Sequence, residues 1–183
     1  MPSELHNELA KMSLRWLRGK VTGRGIRGGF EVPLMSDYIA DAAALCCFQH
    51  RFAKQFIGEE NFEQIDRYVT IVPEILCVFE AKATRSDFLK TFGDINGNRH
   101  TPVGNLHWCV TSRDKKVADP SDLSFPSFWG LLSVQGRGLR QLRKPTFQNQ
   151  PAATIDRAAH QILWYAKNNQ NQYTELTYRN LEY

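Results

Sequence analysis

A chain of 183 residues fits one domain with a real core, and 42% hydrophobic with 23% charged residues is ordinary for a globular protein. No apolar stretch nears the roughly 18 residues that cross a bilayer, and Met1-Pro2-Ser3-Glu4-Leu5-His6 lacks a signal-peptide pattern, so no membrane association and a cytoplasmic location are expected. The formal charge of +4 is modestly basic, which favours nucleic acid as a partner without requiring it.

Leu5, Leu9, Met12 and Trp16 recur at helical spacing, so Ser3 to Arg18 reads as an amphipathic helix ending at Gly19. Lys20 to Gly29 follows with four glycines and the cations Lys20, Arg24 and Arg27. Such a loop brings backbone amides and positive charge to a phosphate, although it lacks the Gly-Lys-Ser/Thr ending of a Walker loop, and a merely flexible basic loop is an equal reading. Phe30 to Leu34 reads as a short strand with Pro33 near its end, and Ser36-Asp37 as a turn. The next apolar run, Asp37 to Cys47, carries one carboxylate inside it, Asp41.

Phe48, Phe52 and Phe56 predict a helix over Phe48 to Ile65, inserted between the second and third core strands, and Tyr68 to Val72 reads as another short strand closed by Pro73. Ile75-Leu76-Cys77-Val78-Phe79-Glu80-Ala81-Lys82 then has the look of a buried strand. Strand side chains alternate, so Glu80 and Lys82 project from one side. Two buried opposite charges need each other, a metal or water, which a catalytic cleft supplies. A strand end emerging into solvent is the plainer alternative.

Thr84 is placed to cap a helix, with Asp87 returning a carboxylate as in a capping box, a role favoured over metal coordination. Ser86 and Lys90 would stand near the cleft mouth, where a phosphate meets them. Asn105 to Thr111 is a further strand in which His107 reads as a core or edge histidine. Asp114 to Pro126 is a proline-bounded loop, and Leu131–Val134 with Leu139–Lys144 flank Gln135-Gly136-Arg137-Gly138 as a hairpin. Its Arg137, Arg140, Arg143 and Lys144 fit either a solvated edge strand or DNA contact. Thr154 to Lys167 reads as a core-covering or dimerising helix with Thr154 as cap, which leaves a homodimer open. Residues 1–167 form the expected domain and 168–183 a polar tail. The four cysteines, Cys46, Cys47, Cys77 and Cys109, lie in apolar runs without CxxC spacing and read as buried thiols.

Asp41, then Glu80-Ala81-Lys82, then Thr84-Arg85-Ser86-Asp87-Phe88, together resemble the PD-(D/E)XK nuclease superfamily, and more narrowly its MmcB-like DNA-repair members. The likeness runs from about Glu4 to Phe147 and includes Trp129-Gly130-Leu131-Leu132 as a late strand. The 38 residues between Asp41 and Glu80 make a long gap, which the inserted helix accounts for; Asp37 is the alternative first ligand. The resemblance implies an α/β fold: a restriction-endonuclease-like core of helix, three strands, helix and strand, its central mixed sheet flanked by helices, with the helical insertion and the late β-hairpin. It further implies a Mg²⁺- or Mn²⁺-dependent deoxyribonuclease acting in repair, recombination or phage DNA processing, in a bacterial or phage-infected cell. Asp41, Glu80 and the Ala81 carbonyl would hold the metal, and Lys82 would orient or help deprotonate water. Glu8, on the first helix, is a candidate accessory ligand, or else a solvated carboxylate pairing with Lys11 or Arg15. A nucleic-acid-binding protein on the same fold without hydrolysis is the rival reading.

Overall fold

The structure is a computed structural model that describes residues 3–20, 26–46, 58, 62–72, 74–93, 98–113, 117–122, 124–168 and 174–176. Helix α1 (Glu4–Arg18) is followed by strands β1 (Ile26–Met35) and β2 (Tyr38–Cys46), helix α2 (Phe62–Ile71), strand β3 (Ile75–Lys82) and helix α3 (Arg85–Phe92). A 3₁₀ turn at Asn98–His100 leads to β4 (Leu106–Thr111), β5 (Trp129–Gln135), β6 (Gly138–Arg143), α4 (Ala152–Asn168) and β7 (Thr174–Leu176). The strands form one mixed sheet in the order β6-β5-β4-β3-β2-β1-β7. β3, β4 and β5 are parallel, whereas β1, β2 and β3 form an antiparallel series and β6 returns antiparallel to β5. The chain is thus an α/β protein, and among its described residues no helix is long and apolar enough to cross a membrane.

β3 is buried along its whole length because it has strands on both edges and side chains packed on both faces. On one face α1 presents Leu9, Leu14 and Leu17, and Trp16 meets Trp108 edge-on at 5.5 Å, with Phe79 stacked on Trp108 at 5.2 Å. On the other, Phe88 and Phe92 of α3 join Phe125, Trp129 and Leu131. Each such fully buried apolar side chain contributes about 1.5–3 kcal/mol. Arg85 ties α3 to the loop after β4 through a two-pronged bond to Asp122, at 2.6 and 2.7 Å.

Several boundaries differ from the sequence expectation. The first strand begins at Ile26, not Phe30, so Arg27, Gly28 and Gly29 are paired with Leu45, Ala44 and Ala43 instead of lying in a loop. A Cβ on Gly28 would stand 3.0 Å from the Ala43 carbonyl oxygen, so glycine serves close strand approach here. Tyr68 to Ile71 is helical: Ile65, Tyr68 and Val72 are buried three and four residues apart, and that shared helical face outweighs the strand preference of the β-branched run. The helix expected over Phe48 to Ile65 lies outside the described residues up to position 61, apart from Gly58. Thr154 lies inside α4, which starts two residues earlier, just after Pro151. Within the C-terminal segment Thr174–Leu176 pairs with Ile26–Gly28 and supplies the edge strand of the sheet. The expected hairpin is present, with Gly136 at positive φ (61°) in a two-residue turn.

Candidate active site

β2 and β3 pair from Cys46↔Ile75 to Ala42↔Phe79, and the next rung is made by a side chain. Asp41 turns its Oδ2 to the Ala81 backbone N–H, which donates at 2.7 Å. Opposite Asp41 on the other neighbour, Glu31 of β1 takes a left-handed backbone (φ 51°) between the pairs Phe30↔Ala42 and Val32↔Ala40. A non-glycine residue there carries strain of order 1 kcal/mol or more.

Strand alternation puts Glu80 and Lys82 on the same face, and the Lys82 Nζ lies 3.3 Å from Glu80 Oε2 and 3.9 Å from Asp41 Oδ2. Residues 39 positions apart in the chain are therefore brought around one ammonium. Glu80 is 1% exposed and Lys82 5%. Two further groups complete the cluster. His6, in the first turns of α1, sets its Nε2 3.0 Å from Asp41 Oδ1. Arg99, in the 3₁₀ turn, sets its Nε 3.0 Å from Glu80 Oε1. The guanidinium is held 3.8 Å from the Tyr38 ring centroid and donates to the Ile39 carbonyl, while the Arg99 carbonyl accepts from the Trp129 indole at 2.9 Å.

These placements shift the ionisations in opposed directions. Burial, reinforced by the Asp41 charge, pushes Glu80 up to about 7 against the pull of Lys82 and Arg99. Burial would also raise Asp41, but the His6 bond, the Lys82 charge and the Ala81 N–H outweigh it and hold that carboxyl below its ordinary value. Lys82 loses solvent yet stays above its ordinary value because Glu80 and Asp41 favour the ammonium. His6 is raised by its bond to Asp41. A positively charged Lys82 can orient water or screen phosphate charge, but it is no proton acceptor near neutral pH. Glu80, whose carboxyl burial pushes up to about 7, is the member of the cluster whose charge is most readily set by what binds beside it.

The sequence-predicted residues divide clearly. Asp41, Glu80, Lys82 and the backbone of Ala81 come together, and Asp37 stays in the exposed β1–β2 turn. Glu8 does not join them: it is solvent-exposed and pairs with Lys11 at 2.9 Å, and His6 is the α1 residue that reaches Asp41. Lys20 and Arg27 lie at the opposite end of the sheet. Lys20 follows the far end of α1, roughly 20 Å of helix from His6. Arg27 is bound by both oxygens of Glu74, just before the start of β3. The expected phosphate loop is therefore not at this site, and Arg24 lies outside the described residues. Ser86 and Lys90 share an exposed face of α3, the helix that begins directly after Lys82. Arg137 is at the hairpin tip and Arg140 on β6. Asp87 gives its backbone N–H to the Thr84 hydroxyl at 3.2 Å, as a capped helix start requires. His107 is a core histidine, fully buried.

Sequence reasoning missed His6, Arg99 and Tyr38. None belongs to a local motif, and each reaches the cluster through tertiary packing. Among the described residues no three His, Cys, Asp or Glu side chains gather to hold a metal, so any metal here relies on the two carboxylates and the Ala81 carbonyl.

No protein-family model matches this chain, and no curated protein matches it. A solved structure of a protein of unknown function from Silicibacter pomeroyi is similar in fold, with a TM-score of 0.60 and 15% identity, over 93% of this chain and 92% of that one.

Proposed function

We propose that this protein is a metal-dependent nuclease that hydrolyses phosphodiester bonds in DNA, on a restriction-endonuclease-like core. The observation that carries the reading is the convergence of Asp41 and Glu80 on the Lys82 ammonium where the β2–β3 ladder ends. The order helix, two strands, inserted helix α2, third strand, helix, strand, followed by a hairpin, supports the same core. So does the cost of the arrangement: a carboxyl held up to about 7 inside a core weakens the fold at neutral pH, and such groups concentrate at functional sites.

The donor set suits a hard divalent cation. Asp41 and Glu80 offer carboxylate oxygens, and Glu80 Oε1 meets Arg99 Nε as an ion pair at 3.0 Å without a well-aligned hydrogen bond. Mg²⁺ or Mn²⁺ held by Asp41, Glu80 and the Ala81 carbonyl would supply Lewis-acid polarisation of the phosphate and of water. The chain's own residues do the rest. His6 and the Ala81 N–H fix the Asp41 carboxylate in one orientation. Lys82 places its charge where the phosphate gains negative charge, a contact that strengthens in the transition state. Arg99, anchored on Tyr38, holds Glu80 in place.

A second reading has its own support. Both Asp41 oxygens already meet protein donors, and Lys82, Arg99 and His6 offset the two carboxylates internally. A self-neutralised cluster of this kind fits a nucleic-acid-binding protein without hydrolysis. The deciding experiment incubates purified protein with single-stranded, duplex, nicked and flapped DNA, with Mg²⁺, with Mn²⁺ or with chelator, alongside Lys82→Met. The nuclease reading expects metal-dependent cutting that Lys82→Met reduces by roughly 10² or more with binding retained, the scale of a lost electrostatic contact. Binding without cutting under every metal condition would leave the second reading.

A further inference from the structure

Lys82 is the first member of a row that crosses four strands. It pairs in register with Thr111 of β4, Thr111 with Ser133 of β5, and Ser133 with Arg140 of β6. Directly opposed residues project from the same face of a sheet, so these four side chains share the face that carries Glu80. The row runs from a buried centre to an exposed edge: Lys82 and Thr111 are buried, Ser133 is half-buried and Arg140 is exposed. Three strand spacings of about 4.8 Å put its ends about 14 Å apart, roughly four nucleotides of stacked strand.

At the outer end lies an open recess of about 250 Å³, lined by Arg113, Ser133, Val134, Gln135, Arg140 and Leu142. Neither Arg113 nor Arg140 makes an ion pair with any described residue, and both are exposed. Leu142, 43% exposed, gives the recess an apolar wall beside the two cations. The inner end is tied to the cluster's strand: the Ser112 hydroxyl donates to the Ala83 carbonyl at 3.2 Å, and the Ser133 hydroxyl to the Ser112 carbonyl at 3.2 Å.

Two guanidiniums beside an apolar wall match a phosphate joined to a base, because arginine binds phosphate in a forked geometry and its plane also stacks on bases. A recess of this volume is below the usual range for drug-sized ligands and is closer in scale to one base than to a base pair. We propose that this recess holds one unpaired nucleotide of the DNA strand whose phosphate lies at Lys82, so that the preferred substrate is single-stranded or flapped about four nucleotides from the scissile bond. The proposal deepens the nuclease reading and rests on it for the identity of the strand, but it is tested by binding alone.

The test compares wild-type protein with the double variant Arg113→Gln/Arg140→Gln by fluorescence anisotropy, in chelator, on a fluorescein-labelled 12-nucleotide single strand and on the same sequence as duplex. Circular dichroism and thermal unfolding should match, since both side chains are exposed. The expected result is tighter wild-type binding to the single strand and a loss of about tenfold in the variant confined to that strand. The log-log salt slope should fall by about 0.7, the one phosphate of that nucleotide on a single strand. An equal loss on duplex, or no loss on the single strand, overturns the proposal. A loss confined to the single strand upholds the subsite even if wild-type protein cuts no DNA, in which case the nuclease reading alone falls.

Discussion

His107 offers a sharp test of how burial governs ionisation in this core. Its Nε2 accepts from the backbone N–H groups of Val103 and Gly104, both at 3.1 Å, which leaves the ring proton on Nδ1. The ring is fully buried and meets Phe128 and Trp129 at 5.1 Å each. A second proton would have to enter at Nε2, against two donors and without solvent, and burial lowers the group to about 3 from an ordinary 6.5. In the unfolded chain the imidazole takes its proton near 6.5, so the unfolded state binds more protons than the folded state between pH 6.5 and about 3. Stability is thus full above pH 6.5 and falls as pH drops through that window, at about 1.4 kcal/mol per pH unit. By pH 5 the loss is about 2 kcal/mol, and at the bottom of the window about 5 kcal/mol. His107→Gln keeps a carbonyl acceptor for the two N–H groups and removes the titration. Losing the ring contacts should cost it about 1–3 kcal/mol at pH 7.5. Urea unfolding at pH 7.5, 6.5, 5.5 and 5 should then show the gap between the two proteins closing by about 2 kcal/mol toward pH 5. In the folded wild type, the His107 ring signals in NMR should not titrate between pH 8 and 4.5. Parallel stability curves, or a ring titration near 6.5, would refute the reasoning.

Three further outcomes follow from the same geometry. Glu80→Gln should abolish metal-dependent cutting through lost metal affinity, and excess Mn²⁺ should restore part of it; undiminished cutting at low Mg²⁺ would remove Glu80 from the ligand set. Asp41→Asn should keep the rung to the Ala81 N–H, because an amide oxygen accepts as well as a carboxylate, so Asp41→Ala should be less stable than Asp41→Asn by about 1–3 kcal/mol in chemical denaturation. Gly130→Ala puts a Cβ 2.7 Å from Trp108 and 2.9 Å from the Pro145 backbone nitrogen, neither of which yields easily, and a loss of about 1–3 kcal/mol in thermal or urea unfolding is expected, with a wild-type midpoint counting against that packing.

What could be read from the chain, and what could not, divides along sequence separation. The run from Ile75 to Lys82 was legible because continuous apolar residues with two charges at one end have few consistent placements. α1, β2, the cap at Thr84 and the hairpin were legible for the same local reasons. Tyr68 to Ile71 misled because β-branched residues favour strands locally while the burial of Ile65 and Tyr68 is a tertiary fact. Lys20 and Arg27 misled because a basic glycine-rich stretch carries no information about which end of a sheet it occupies. His6 and Arg99 could not be found at all by spacing. One is near the start of the chain, the other is in a short turn, and each reaches the carboxylates through a fold that neither specifies.

The burial of β3 also bears on how the molecule opens. Backbone amides exchange with solvent through local unfolding at sheet margins and only through near-global unfolding at a doubly flanked centre. The amides around Glu80 and Lys82 should therefore exchange among the slowest in the protein, whereas those of β6, at the outer edge beside the recess, should exchange far sooner. A strand laid across this face would meet an adaptable margin at Arg140 and an unyielding one at Lys82, so conformational adjustment to different substrates has room at the hairpin without disturbing the spacing of the buried charges.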